Sequence, residues 1–410
     1  MGDRISLLPY LVVAALLFCY AGVSVSPIFS DQNRIRVTST GFYIHNDGDL
    51  YNSSISPRYT IEAIYQFGDS ISDTGNLIRE NPSSNYAKLP YGQTFFHKPT
   101  GRCSDGLLMI DYFTRFFKLP FLDPYLNKEG NFSHGVNFAV AGATALNGST
   151  LAKKHNLSGP TNSSLLVQLD WFKTHLNSIC SDASDRKKKL AKALIVMGEI
   201  GGNDYNWAFF QRKPITEIYD MVPKVIQMIK NVVKEVINLG ATRIVVPGNF
   251  PIGCMTIYLD MFKTNDIKMY DELQCLRSLN DFAKFHNDKL QEAITDIQRD
   301  HPNVSIMYAD YFEALKEILQ NATSLGFDED KVRTACCGSR GIVCGDPYKH
   351  VNWDRIHLTQ HAYQVMAKSL IKPINDLGMP GNSSGSKSSI PQLFLYNLYA
   401  IIFCWFILSI

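Results

Sequence analysis

A chain of 410 residues can hold one large domain or two small ones, and 45% apolar with 19% charged residues is ordinary for a packed globular core. The formal charge of +2 provides no overall attraction to nucleic acid, and the one dense basic run, Asp185 to Lys189, reads as a solvated helix start.

In chain order, the first predicted element stands outside the fold. Arg4 precedes a nearly all-apolar run from Ile5 to Val23, and the small residues Ala21, Gly22 and Ser24 lie at its end. Residues 1–25 therefore read as a secretory signal peptide, cleaved near residues 22–26. A retained signal anchor is the alternative, but the run is short for a span and small residues rather than a basic cluster follow it. Residues 26–60 are polar and turn-rich and are expected to form an extension with little core.

From Ile61 onward short apolar strands alternate with amphipathic helices. Strands are predicted at Ala63–Phe67, Val136–Val140, Ala193–Met197, Arg243–Val246 and Val304–Tyr308. Helices are predicted where Ile218, Val222, Val225, Ile229, Val232, Val236 and Leu239 recur every three or four residues up to Gly240, and again over 277–299 and 359–376. Such alternation implies a mainly parallel sheet covered on both faces. In those sheets chemistry gathers beyond the carboxyl ends of the strands. One domain over residues 61–378 is expected.

Residues 379–410 carry a second address. Pro380 to Ser389 is a small-residue polar stretch that leads into a hydrophobic run, Ile390 to Ile410. This is the layout of a GPI-anchor signal, with a retained membrane helix as its rival and no membrane role as a third reading. Gly381-Asn-Ser-Ser-Gly385 formally matches G-x-S-x-G, yet no strand precedes it and no helix follows, so it is assigned to this spacer.

N-glycan acceptor triplets at Asn52, Asn131, Asn147, Asn156, Asn162, Asn303, Asn321 and Asn382 suit a secretory route ending outside the cell, at its surface or in the vacuole. Seven of the nine cysteines lie between the two hydrophobic ends, so at least one thiol there has no intrachain partner. Cys336, Cys337 and Cys344 read as loop staples, and no C-x-x-C pair suggests zinc.

The chemistry starts at Ile64-Tyr-Gln-Phe-Gly-Asp-Ser-Ile-Ser-Asp-Thr-Gly-Asn76, a strand that runs into turn formers. A hairpin is one reading; a nucleophilic Ser70 held at a sheet edge is the other. A serine needs a base, usually histidine oriented by a carboxylate. Asp354 and His357 stand three apart, which in a turn or helix start brings both side chains to one side, although Asp354 could equally cap the following helix. His357 and His361 have the four-residue spacing of metal ligands but no third ligand is evident. Donors for an oxyanion are offered by Gly142, which follows a short strand, and by Asn203 behind Gly201 and Gly202; tight turns are the plain alternative for both.

Together these four segments resemble the plant branch of the GDSL esterase/lipase family, the SGNH hydrolases. Gly-Asp-Ser70-Ile71 matches the nucleophile block, Gly142 the second, Gly-Gly-Asn203-Asp the third and Trp353-Asp354-x-x-His357 the last. The resemblance implies a three-layer α/β/α, flavodoxin-like domain that hydrolyses carboxylic esters without metal or cofactor. It implies Ser70 as nucleophile, His357 as general base and Asp354 as its orienting partner. The oxyanion hole would be formed by the Ser70 and Gly142 N–H groups and the Asn203 side chain. Asp69 and Asp73 belong to the first block, where loop hydrogen bonding is expected of both. Arg355 departs from a frequent Gly and is expected to narrow the pocket, meet an anionic substrate or point to solvent. The stretches "GEIGGNDYN" and "WDRIHLTQHAY" resemble most the esterases of plant specialised metabolites, the sinapine esterase and acetylajmalan esterase kind. The expectation is therefore a monomeric esterase of acetyl or other small acyl esters. An acyltransferase using the same residues and an inactive surface binder are the alternatives.

Overall fold

The computed structural model describes residues 33–38, 41–46, 56–337 and 343–377. The expected signal peptide and anchor tail, with the acceptors Asn52 and Asn382, lie outside the described residues. The chain divides into two units, Met1–Ser54 and Ile55–Ile410.

Within the first unit, β1 (Asn33–Thr38) and β2 (Gly41–Asn46) pair antiparallel, with Ile35 opposite Ile44 and Val37 opposite Phe42. The extension expected to have little core therefore contains a strand pair. Its signal was the period-two alternation Ile35, Val37 and Phe42, Ile44, the pattern that a pleated strand imposes.

The second unit begins before residue 61. The Arg58 N–H donates to Asn375 Oδ1 at 2.8 Å, and Tyr59 OH donates to the Ile374 carbonyl at 2.6 Å. Arg58 also pairs with Asp376, so residues 56–60 are held by the last helix rather than left as a linker.

Five parallel strands form the centre of this unit: β3 (Ala63–Gln66), β4 (Gly135–Asn137), β5 (Ala193–Val196), β6 (Arg243–Pro247) and β7 (Ser305–Ala309), in the order β4-β3-β5-β6-β7. Their near-continuous burial is what a sheet covered on both faces requires; Ile64, Ala193, Leu194, Ile195 and Ile244 expose nothing. The covering helices include α1 (Met109–Phe116), α2 (Leu165–Ile179), α3 (Ala183–Leu190), α4 (Gly202–Phe210), α5 (Val222–Leu239), α6 (Arg277–Asp300), α7 (Tyr311–Gln320) and α8 (Gln360–Asn375). Helix α5 packs against α2, α3 and α6, while α8 packs against α1 and α7. The result is the expected three-layer α/β/α architecture. The basic run lies on α3, whose start is capped by the Asp182 carboxylate accepting the Asp185 N–H.

Two boundaries differ from the sequence pattern for physical reasons. The helix expected to include Ile218 starts at Val222, because Pro223 fits only a first turn; Ile218 belongs to a separate turn, Ile215–Tyr219. The strand expected over Val136–Val140 ends at Asn137: the N–H groups of Phe138 and Val140 still reach the Gln66 and Gly68 carbonyls, but the Asn137 and Ala139 carbonyls go to the Asn76 side-chain amide rather than to a further strand.

Strand order places the switch point between β3 and β5: from β3 the chain first goes outward to β4, then returns across β3 to β5, β6 and β7. Ligand sites in doubly wound sheets form at the carboxyl end of that crevice. Residues 67–76 leave β3 there, and residues 197–203 leave β5 there.

Candidate active site

The two crevice loops touch through glycine. Gly68 and Gly198 have positive φ, and a Cβ on Gly68 would lie 3.0 Å from both Gly198 Cα and the Glu199 carbonyl oxygen. Only glycine lets the backbones approach this closely. The Asp69 N–H then donates to the Glu199 carbonyl at 3.1 Å, and Gln168 clamps Gly68 on both its N–H and its carbonyl. The strand end is thus a rigid turn rather than a hairpin, and Ser70 sits on it, nearly buried.

Asp73 organises the loop behind Ser70. Its Oδ1 accepts the N–H groups of Gly75 and Asn76, and its Oδ2 those of Leu77 and Ala141. Burial pushes its carboxyl up, against the four backbone donors that favour the charged form. Through Ala141 it also fixes the turn that carries Gly142. Gly142 has φ +85°, and a Cβ there would lie 2.3 Å from Pro160 Cγ. Among the described residues, neither the Ser70 N–H nor the Gly142 N–H donates a hydrogen bond, so both donors expected for an oxyanion are available.

Asn203 opens α4 and behaves differently. Its amide nitrogen donates to Asp69 Oδ2 at 2.8 Å and to the Ala143 carbonyl at 3.0 Å, while its oxygen accepts from Asn206. Both N–H groups of the side chain are engaged. The oxyanion role expected of it therefore requires one of those bonds to open. Asp69 does more than shape its loop: its Oδ1 accepts the Ile71 N–H, and its carboxyl hydrogen-bonds the Glu199 carboxyl. Sequence reasoning passed over Glu199; its only signal was an acid four residues before Asn203 in a glycine-rich turn.

On the far side of the site, Asp354 and His357 meet as their spacing implied. His357 Nδ1 lies 2.7 Å from Asp354 Oδ2, and Asp354 Oδ1 accepts the N–H groups of Ile356 and His357, each at 2.7 Å. Tyr91 OH donates to Oδ2 at 2.9 Å. Burial raises the Asp354 carboxyl, but the imidazole and the two N–H donors outweigh it, and the group lies below the ordinary carboxylate range. Asp354 does not cap the following helix; Thr359 does, with its hydroxyl accepting the Ala362 N–H. Among the described residues, the buried His357 Nε2 has no hydrogen-bond partner, so the Ser70–His357 hydrogen bond is not formed here. Such bonds are often long in free enzymes and tighten with substrate. Tyr86 stands edge-on to the imidazole at 5.7 Å.

Ser70, Asn203 and Ile356 line one cavity of about 40 Å³. Its apolar wall includes Ile71, Phe210, Phe250, Ile252 and Met255. Arg355 is not part of this cavity's lining; it points outward, as one of its expected readings had it, with its side chain well exposed. Its guanidinium pairs with Asp260 at 2.8 Å, and its carbonyl accepts the Ile257 N–H, because the loop turns Ile356 inward and the neighbouring side chain outward. His361 stacks on Tyr348, 3.6 Å between ring centroids, and its Nδ1 contacts the Tyr348 carbonyl. Disulfides join Cys254 to Cys275 and Cys336 to Cys344, leaving Cys103, Cys180 and Cys337 as free thiols among the described residues. Of the acceptor asparagines in the described residues, Asn131, Asn156, Asn162, Asn303 and Asn321 are exposed; Asn147 is half-buried and caps a helix start through the Thr150 N–H.

Fold and crevice define the class first: a three-layer α/β/α hydrolase with its loops gathered at the switch point. Residues 64–370 match the GDSL-like Lipase/Acylhydrolase family, and the chain belongs to it; it is a carboxylic ester hydrolase. A GDSL esterase/lipase of Arabidopsis thaliana is 42% identical over 365 residues, 84% of this chain and 92% of its own length. A second from the same plant is 43% identical over 339 residues, 78% of this chain and 88% of its own. Acetylajmalan esterase 1 of Rauvolfia serpentina is 42% identical over 333 residues, 77% and 87% of the two chains.

Proposed function

We propose that the protein is a secreted, glycosylated serine esterase of small acyl esters, acting through Ser70, His357 and Asp354. The observation that carries this reading is the state of His357: Nδ1 is held by the Asp354 carboxylate while the buried Nε2 has no partner. An imidazole fixed in that way presents a basic nitrogen. His357 Nε2 removes the Ser70 hydroxyl proton as Oγ attacks the ester carbonyl carbon. The developing oxyanion is met by the Ser70 and Gly142 N–H groups. The C–O bond to the alcohol then breaks, and His357 returns the proton to the leaving alkoxide. Water attacks the acyl-serine with His357 as base, and the carboxylic acid leaves as Ser70 regains its proton.

An apolar wall of Ile71, Phe210, Phe250, Ile252 and Met255 beside Ser70 suits the acyl part of an ester. Similarity to acetylajmalan esterase 1 favours an acetyl or other small acyl group. The signal-type N-terminus and the acceptor triplets support the secretory route, with a lipid anchor supplied by residues 379–410. We read the enzyme as a monomer whose partners are small-molecule esters.

The test is a panel of esters from acetyl to long-chain acyl, run on wild type and Ser70→Ala, with fluorophosphonate labelling of both. Short esters are expected to turn over fastest, the variant to lose several orders of magnitude, and the label to fall on Ser70. Equal rates in the two proteins would remove Ser70 from the mechanism, and a preference for long chains would overturn the substrate class.

A further inference from the structure

We propose that Asp69 and Glu199 share one buried proton and that this proton sets how tightly Asn203 is held, making Glu199 a positioning residue for the oxyanion site. The inference rests on the ester-hydrolase reading for its kinetic consequence, though not for its structural content.

Three observations converge. First, the two carboxyls meet at the switch point, where the Asp69 N–H binds the Glu199 carbonyl and the side chains hydrogen-bond each other. Two carboxylates in contact inside a protein cannot both ionise cheaply, so one proton stays between them. Second, the remaining Glu199 oxygen chemistry is fixed: Oε1 accepts the Gly202 N–H at 3.1 Å, the N–H that opens the turn carrying Asn203. Third, Asp69 Oδ2 accepts one of the two Asn203 N–H groups, both of which are engaged. Asp69, Glu199 and Asn203 all line the cavity that Ser70 lines.

Burial, and then the Glu199 charge, push the Asp69 carboxyl well above its ordinary range; burial also raises Glu199, which the bond from Asp69 lowers. One proton is therefore held between the two carboxyls. The surroundings reinforce this. Asp73 and Asp204 are the neighbouring acids, and the phenols of Tyr205, Tyr258 and Tyr311 face the pair. Cys103 and Tyr363 also feel the Asp69 charge, and their pKa values are likewise raised by burial. None of these groups is basic.

While the pair keeps its proton, Asp69 accepts from Asn203 as less than a full carboxylate, and a substrate oxyanion can displace that bond. An ionised Asp69 would hold the same N–H by a charge-assisted bond about twice as strong. Loss of the shared proton at alkaline pH thus withdraws a donor from the transition state. The device predicts an alkaline limb in kcat.

Glu199→Gln keeps the shape and the Gly202 bond but replaces the proton acceptor by an N–H donor, so Asp69 ionises at lower pH. The alkaline limb of kcat is expected to move acidward by at least about one pH unit, with kcat at neutral pH falling about tenfold or more, since losing one oxyanion donor costs about 10²–10³. KM should change by less than about threefold, because the effect lies in the transition state. Asp69→Asn removes the ionisation itself and should abolish the limb. Independently, infrared spectra of Ser70→Ala at neutral pH should contain the C=O stretch of a protonated carboxyl that disappears when either substitution is added. A pH profile of Glu199→Gln superimposable on wild type, or a carboxyl band unchanged by both substitutions, overturns the proposal. Retained turnover in Ser70→Ala would instead overturn the serine mechanism and leave the band as it was.

Discussion

Replacing Asp354 by Asn is the sharpest probe of the active site, because the structure dictates how the amide must sit. Asp354 Oδ1 accepts two backbone N–H groups, from Ile356 and His357, each at 2.7 Å. Those donors require an acceptor, so the amide oxygen takes that place and the NH₂ is forced toward His357 Nδ1, where Oδ2 stood at 2.7 Å. An NH₂ donates; Nδ1 must then accept, and the ring proton moves to Nε2. Tyr91 OH, which donates to Oδ2 at 2.9 Å, can rotate to accept from the NH₂ and adds no resistance. With Nε2 protonated, the proposed mechanism has no base for the Ser70 proton. A triad in the wrong tautomer loses about 10⁴ in kcat, or about 5 kcal/mol of transition-state stabilisation. The assay is hydrolysis of a chromogenic acetyl ester, with kcat and KM measured separately near neutral pH and circular dichroism confirming the fold. KM is expected to change little. A variant within about tenfold of wild type would refute the reasoning, since the carboxylate would then not be setting the tautomer.

Three further outcomes are expected. Gly142→Ala places a Cβ 2.3 Å from Pro160 Cγ in a backbone with φ +85°; strain of about 1–2 kcal/mol should displace the N–H and lower kcat by about 10²–10³, whereas an unchanged kcat would exclude this amide as an oxyanion donor. Burial pushes the Asp204 carboxyl up from 3.8 to about 7. The folded state therefore binds a proton that the unfolded chain has released, and the stability this group contributes falls as pH rises from about 4 to about 7. Asp204→Asn should flatten that part of the melting-temperature profile, and an identical slope in both proteins would sink the assignment. The Cys254–Cys275 bridge closes a segment of sequence separation 21 beside the cavity residues Ile252 and Met255. Its replacement by two serines should cost about 3 kcal/mol in urea unfolding, and a loss below about 0.5 kcal/mol would show that the bridge constrains little.

Much of this protein is legible one segment at a time. Period-two and period-3.6 patterns are local properties, so strands β3 and β5 to β7 and the helices could be read from residues a few positions apart. The same holds for Asp354 and His357, which share one turn and meet at 2.7 Å. Where one residue overrides the pattern, the boundary moves: Pro223 restarts a helix, and β4 ends at Asn137, where the Asn76 amide takes the carbonyls that a further strand would have taken.

What the chain order could not reveal is which distant groups become neighbours. Glu199 looks like a turn residue until the β3–β5 crevice presses its carboxyl against Asp69. Arg355 has three open readings until its exposed pairing with Asp260 sets it outside the cavity, and Asn203 looks like a free donor until Ala143 and Asp69 engage both its N–H groups. Cysteine pairing is of the same kind. Covalent sequence determined the list of chemical groups and the local geometry of each turn; the closing of long loops onto one sheet edge determined their partners, and a buried proton has energy only in relation to the partners around it.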